Sequence, residues 1–133
     1  MIVLDSSGWI EFFADGPHAD EFASRLRQPA NVIAPTVALY EVYKWIKRER
    51  SEEEALDAVA TMKKATVADL TEDIALTAAD LSLAHGLPMA DSMMLAFARA
   101  YRAELVTTDS GFEGIAGVTV FSKKRRDNVP DTE

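Results

Sequence analysis

Short apolar runs alternate with longer stretches of helical periodicity along this chain, and that alternation constrains its fold more than any other feature. Ile2 to Asp5, Asn31 to Ala34, Thr66 to Leu70, Leu105 to Thr108 and Val118 to Phe121 each read as a short buried strand. Trp9, Ile10, Phe12 and Phe13 fit one helical surface after the turn signal Ser6-Ser7-Gly8. Ala19, Phe22, Ala23 and Leu26 are spaced by three and four, which predicts a second helix from His18 to about Arg27. Thr36 is a predicted cap for a helix through Arg50, and Ser51 caps another that runs to about Lys64. Thr71-Glu72-Asp73 starts a helix closed by Gly86, and Pro88 starts one that runs to about Arg102. Strands alternating with helices predict a three-layer α/β/α fold with a mainly parallel five-stranded sheet. Ligands of such sheets bind outside the carboxyl ends of the strands.

The chain has 133 residues, of which 48% are hydrophobic, enough for one domain with a real core. That domain is expected over residues 1–122, followed by a charged tail over 123–133. No apolar run is long enough to span a membrane, and no basic leader precedes a cleavage site, so a cytoplasmic protein is expected. The absence of cysteine excludes disulfides, thiolate metal sites and a thiol nucleophile. A net charge of −8 argues against nucleic-acid binding through a whole-surface positive field, though not against a local basic rim. Four of the fourteen basic residues stand together as Lys123-Lys124-Arg125-Arg126. They read either as a solvated tail or as an arm that touches phosphate or a partner's acidic patch.

Four acids sit where a lone carboxylate is hard to justify for packing. Asp5 follows the run from Met1 to Leu4, and Asp109 follows Leu105 to Thr108, so both fall at strand carboxyl ends. Glu41 interrupts the apolar run from Val37 to Ile46, and Asp91 opens the run from Met93 to Ala98. Each has an ordinary alternative. Asp5 can cap the helix starting at Ser6. Glu41 can pair with Lys44 on the surface. Asp91 suits the dipole of a first helical turn, and Asp109 can initiate a turn through Gly111. Together, however, four carboxylates make an anionic pocket that must be protonated, paired with cations or filled by a metal. Oxygen ligands alone favour a hard divalent cation, Mg²⁺ or Mn²⁺. Ser6, Ser7 and Thr107 carry hydroxyls able to orient a carboxylate, although ordinary helix capping equally explains the two serines. Lys44, Lys47, Arg48, Arg99 and Arg102 follow Glu41 and Asp91 along their helices and are candidates for a local basic rim that would hold a substrate, although surface solubility also explains them. His18 and His85 read as structural or surface residues.

The four pieces, in this order and in a chain this short, resemble the PIN-domain ribonucleases, in particular the VapC-type toxins of toxin–antitoxin pairs. The resemblance runs from Met1 to about Phe121: a strand ending in Asp5-Ser6-Ser7, Glu41 in a helix, Ala90-Asp91 opening a later helix, and Leu105-Val106-Thr107-Thr108-Asp109 with Phe112 following. It implies that Asp5, Glu41, Asp91 and Asp109 bind Mg²⁺ or Mn²⁺ and cleave RNA, with Ser7 and Thr107 in support. It also implies products bearing a 5′-phosphate and a 3′-hydroxyl, a homodimer, and a cognate VapB-type antitoxin. Two features depart from the usual pattern: Ser92 stands where a small apolar residue is common, and Ser110-Gly111 where bulkier polar residues are. Three other readings compete. A receiver-like signalling domain needs paired acids after the first strand, whereas Asp5 stands alone, Asp57 falls in a helix and Asp69 within the third strand. A PIN-like module that binds RNA or protein without cutting conflicts with the intact acid set. A phosphatase needs a D-x-D motif that the chain lacks.

Overall fold

The computed structural model describes residues 1–122. Its centre is a parallel five-stranded sheet built from β1 (Ile2–Leu4), β2 (Val32–Pro35), β3 (Thr66–Ala68), β4 (Glu104–Thr107) and β5 (Val118–Val120). The spatial order is β3-β2-β1-β4-β5. Val3, Leu4, Val32, Ile33, Leu105 and Val106 are at most 1% exposed, because helices cover both faces of the sheet. This explains why the strands read as continuous apolar runs rather than as alternating ones.

Six helices connect them: α1 (Ser6–Phe13), α2 (Ala19–Arg25), α3 (Thr36–Glu49), α4 (Glu52–Met62), α5 (Glu72–His85) and α6 (Met89–Ala100). The first crossovers step outward, from β1 to β2 through α1 and α2, then from β2 to β3 through α3 and α4. The α5–α6 hairpin then carries the chain back past both strands, so that β4 lands on the far side of β1. The direction of winding therefore reverses between β1 and β4. At that reversal the two outgoing chains splay apart and leave a crevice at their carboxyl ends.

Gly8 sets how closely α1 approaches β1. A Cβ at this position would lie 2.7 Å from Leu4 Cδ1 and 2.9 Å from the Phe22 ring. Such close packing presses the first turn of α1 onto the end of β1. Gly86 ends α5 at φ +68°, the left-handed geometry that favours glycine.

Several boundaries differ from the sequence reading. The second helix is shorter at both ends, since Pro29–Asn31 coils into a 3₁₀ turn before β2 begins at Val32. Thr36 does not cap α3. Its hydroxyl instead accepts the Leu70 N–H at 3.3 Å, tying α3 to the chain after β3. Asp69 is exposed and lies just beyond β3, on the sheet edge remote from β4. The tail over 123–133, with its basic run, lies outside the described residues.

Candidate active site

The four acids lie around the β1–β4 reversal, near enough for Asp5, Asp109 and Glu41 to act on Asp91. Asp5 leaves β1 as the N-cap of α1, and its Oδ1 accepts the Ser6 N–H at 2.8 Å. It is therefore a cap, as the ordinary reading allows, but capping occupies only one of its oxygens. Oδ2 accepts the Ser7 hydroxyl at 3.0 Å and the Thr107 hydroxyl at 2.7 Å. Asp5 is 2% exposed. Burial pushes its carboxyl up, against the three hydrogen bonds that favour the ionised form. The nearby Glu41 charge adds to the rise.

Thr107, the last residue of β4, is fully buried and joins this centre to Asp109. Its Oγ1 accepts the Asp109 N–H at 2.9 Å while it donates to Asp5. The Ser7 and Thr107 oxygens stand 3.0 Å apart, and Ser7 Oγ accepts the Thr108 N–H. β1, α1 and β4 are thus locked together by hydroxyls at the point where β1 and β4 end. Asp109 itself turns the chain, its Oδ1 accepting the Gly111 N–H at 2.8 Å.

Glu41 comes from the second turn of α3 and does not pair with Lys44. Its Oε1 accepts the Ser6 hydroxyl at 2.7 Å instead. Lys44 lies over the Tyr40 ring, 5.5 Å from its centroid. Ser6, whose hydroxyl the sequence offers as able to orient a carboxylate, touches both Asp5 and Glu41 and so bridges α1 to α3.

Asp91 stands half-buried in the first turn of α6. Its carboxyl is pushed up to about 7. Burial is the main cause, followed by the charges of Asp5 and Asp109, a hydrogen bond of the protonated Asp91 to Asp109, and the charge of Glu41. The four acids, drawn from residues 5 to 109, thus share one electrostatic field. Among the described residues, no three His, Cys, Asp or Glu side chains close on a point as a ready-made metal cage. Asp91 nonetheless lies near enough to Asp5, Asp109 and Glu41 for their charges to add to the rise of its carboxyl. The donor set is entirely oxygen, and among the described residues no Lys or Arg forms an ion pair with any of the four. Both facts fit a hard divalent cation. Ser92, the unusual neighbour of Asp91, points its hydroxyl into its own helix and donates to the Met89 carbonyl at 2.8 Å.

The five candidate cations separate into two groups. Lys44 and Arg48 line a groove of about 230 Å³ with Ser6, Tyr40, Glu41 and Trp45, next to the acids. Lys47 instead reaches Glu52 at 3.3 Å and the Tyr43 hydroxyl, which hold its ammonium above the usual lysine range. Arg99 and Arg102 lie at the opposite end of α6 from Asp91, and Arg99 donates to the Ala116 carbonyl. One buried acid escaped the sequence reading. Glu11 is 2% exposed and accepts the His18 N–H at 2.6 Å. Its only signal is a carboxylate set within the aromatic run Trp9 to Phe13. It braces the turn between α1 and α2, where a Cβ on Gly16 would lie 2.5 Å from its carboxylate oxygen.

A family model described as the PIN domain matches residues 2–118. No curated protein sequence matches the chain. Among solved structures, a toxin–antitoxin complex from Klebsiella pneumoniae is 22% identical with a TM-score of 0.77, covering 92% of this chain and 99% of the other. VapC20 of Mycobacterium tuberculosis, a toxin that cleaves the sarcin–ricin loop, is 21% identical with a TM-score of 0.75, over 90% and 98% of the two chains. VapBC2 from Rickettsia felis, bound to a promoter DNA fragment, is 17% identical with a TM-score of 0.72, over 92% and 98%. At these identities the likeness is one of fold.

Proposed function

The chain belongs to the PIN-domain family, and from that premise we propose that it is a divalent-cation-dependent endoribonuclease, the toxin of a toxin–antitoxin pair. One observation carries the reading: Ser6, Ser7 and Thr107 tie Asp5, Glu41 and the start of the Asp109 loop together where the sheet's winding reverses, beside an Asp91 whose carboxyl is raised by burial and by the charges of those acids. In this reading Asp5, Glu41, Asp91 and Asp109 hold Mg²⁺ or Mn²⁺. When bound, the cation lowers the pKa of a water molecule and offsets charge developing on the phosphate oxygens.

The protein's own part is positioning. Ser7 and Thr107 fix both Asp5 and the start of the Asp109 loop, while Ser6 fixes Glu41. Asp91 would hold the cation as its carboxylate, its proton having passed to solvent. No side-chain nucleophile is required, consistent with a cysteine-free chain. Lys44 and Arg48 place backbone phosphates beside Glu41, with Tyr40 and Trp45 in the same groove for a base.

A second groove of about 450 Å³ shares Glu41 and runs past Ala90, lined chiefly by apolar atoms of Val37, Leu70, Met89 and Met93. It suits an antitoxin segment with apolar side chains whose basic residue reaches the acids. Leu76 and Leu83 lie two turns apart on α5 and are 61% and 87% exposed, which supports a homodimer packed through that helix.

The test is cleavage of total RNA by the purified protein with Mn²⁺, with 5′ ends mapped by sequencing, beside Asp5→Asn and excess EDTA. Discrete cuts in the wild type alone support the reading. Tight RNA binding without cuts, in the presence of metal, refutes it in favour of a silent binding module.

A further inference from the structure

We propose that a cleft at the amino ends of β2 and β3 binds a small organic acid, an apolar body that carries one carboxylate. The site is separate from the four acids, which lie around the carboxyl ends of β1 and β4, and it does not depend on the nuclease reading. The cleft has a volume of about 400 Å³. Trp9 and Phe12 reach it from α1, and Leu26 from the end of α2. Pro29 opens the 3₁₀ turn before β2, and Arg27 and Lys64 stand in the segments that lead into β2 and β3.

Two independent features point to a ligand. The first is Trp9. It is 1% exposed, and its indole N–H is sealed from solvent with no acceptor among the described residues. Buried donors are nearly always paired, because a group that loses water without gaining a partner is costly. The second is charge. Arg27 and Lys64 both line the cleft, and neither has an ion pair among the described residues, whereas Arg25, Lys47, Arg48 and Arg50 each have a carboxylate partner. In a chain of net charge −8, two uncommitted cations at one cleft make a local positive spot that draws an anion.

An acid with an apolar body answers both features. Its body covers Trp9, Phe12, Leu26 and Pro29. Its carboxylate meets Lys64 and the Arg27 guanidinium, whose fork matches two carboxylate oxygens. A ligand oxygen that reaches the indole gives the Trp9 N–H its acceptor. Mostly apolar clefts of this size with a few polar groups are the usual form of small-molecule sites. A nucleotide suits the cleft less well. Thr61, the other polar side chain in the lining, already donates its hydroxyl to the Asp57 carbonyl, which leaves little to read the edge of a base.

The probe is octanoate, titrated into the full ¹⁵N-labelled chain in phosphate-free buffer. NMR follows the indole N–H signals of Trp9 and Trp45, which Trp45→Phe assigns. Wild type is compared with the double variant Arg27→Gln, Lys64→Gln, whose positions are exposed, so that the variant should keep the dispersed spectrum of a folded chain. Octanoate should shift the Trp9 signal saturably, leave the Trp45 signal in place, and bind the double variant about tenfold more weakly. Octylammonium has the same tail with the opposite charge. It should bind wild type no better than octanoate binds the double variant, a comparison that stands even if that variant fails to fold. No saturable shift of Trp9 by millimolar octanoate overturns the proposal, and so does a shift confined to Trp45. Equal affinity for octanoate and octylammonium, or unchanged affinity in the double variant, overturns it in favour of an apolar crevice with no anion site. Tighter binding of adenosine monophosphate than of octanoate at Trp9 overturns it in favour of a nucleotide site.

Discussion

Asp5 and Asp91 face the same crevice, yet their surroundings differ sharply. Asp5 is deep, and a backbone N–H and two hydroxyls meet its oxygens. Asp91 is half-buried and has carboxylates for company. Burial raises both, but hydrogen bonds oppose the rise only at Asp5. The contrast separates two tasks. Asp5 is pre-organised and has little freedom to move. Asp91 is costly to ionise, and either a proton or a positive charge relieves that cost. Under the proposed role, one ligand would be braced in advance and the other would be completed by the cation.

The largest expected effect sharpens this contrast least. Asp5→Asn and Asp91→Asn should each reduce RNA cleavage by about 10³-fold or more, since a metal supplies several kcal/mol of transition-state stabilisation. A single-turnover assay with Mn²⁺ measures it, and wild-type rates in either variant would end the four-acid scheme.

The titration of Asp91 gives the next effect. Its carboxyl is raised from 3.8 to about 7 on folding, so it favours the fold at low pH, and this contribution fades as pH climbs from about 4 through 7. Without metal, the melting temperature should therefore fall over that window. Adding Mn²⁺ should restore it above pH 7, and Mn²⁺ affinity should weaken roughly tenfold per pH unit below the midpoint, because one proton competes with the ion. Calorimetry at pH 5.5, 6.5 and 7.5 checks both. Asp91→Asn should flatten the apo profile and raise the apo melting temperature by a few degrees at pH 8. Asp5→Asn should not stabilise the fold as much, since it disturbs three hydrogen bonds. Equal stabilisation by the two would erase the distinction drawn here.

Smaller effects test the brace. Thr107→Val leaves Asp5 and the Asp109 N–H short of a partner and should cost about 1–3 kcal/mol of stability by urea unfolding. Activity should drop about 10- to 100-fold, as for other supports of a metal ligand. Thr107→Ser should recover most of both. Ser6→Ala frees Glu41 without exposing the core, and should lower activity by no more than about tenfold with little change in melting temperature. An effect of Ser6→Ala larger than that of Thr107→Val would reverse the order of importance assigned to the two hydroxyls.

Much of this arrangement is legible in the residues, for identifiable reasons. Strand ends are marked by an abrupt change from apolar to polar, and Asp5 and Asp109 sit on that change, so their placement at one edge of the sheet follows from strand direction. Glu41 stands out because its neighbours are apolar. The pairing of strands is less visible. That β4 lies beside β1 rather than β3 depends on where the α5–α6 hairpin packs, which no local pattern encodes. The cations mislead for a related reason. Lys44, Lys47 and Arg48 are near neighbours in sequence, but Lys44 and Arg48, four apart, share the face of α3 that reaches the groove, while Lys47 meets Glu52. Glu11 hides within aromatic residues, and its role emerges only with the turn at Gly16.

The bond from Thr107 to Asp5 joins residues 102 positions apart in the chain. Nothing shorter than that span contains the whole constellation. A ribosome making this protein must therefore extrude nearly all of it before the hydroxyl meets its carboxylate. Any truncated or nascent form that ends before Thr107 lacks that bond and the constellation built on it.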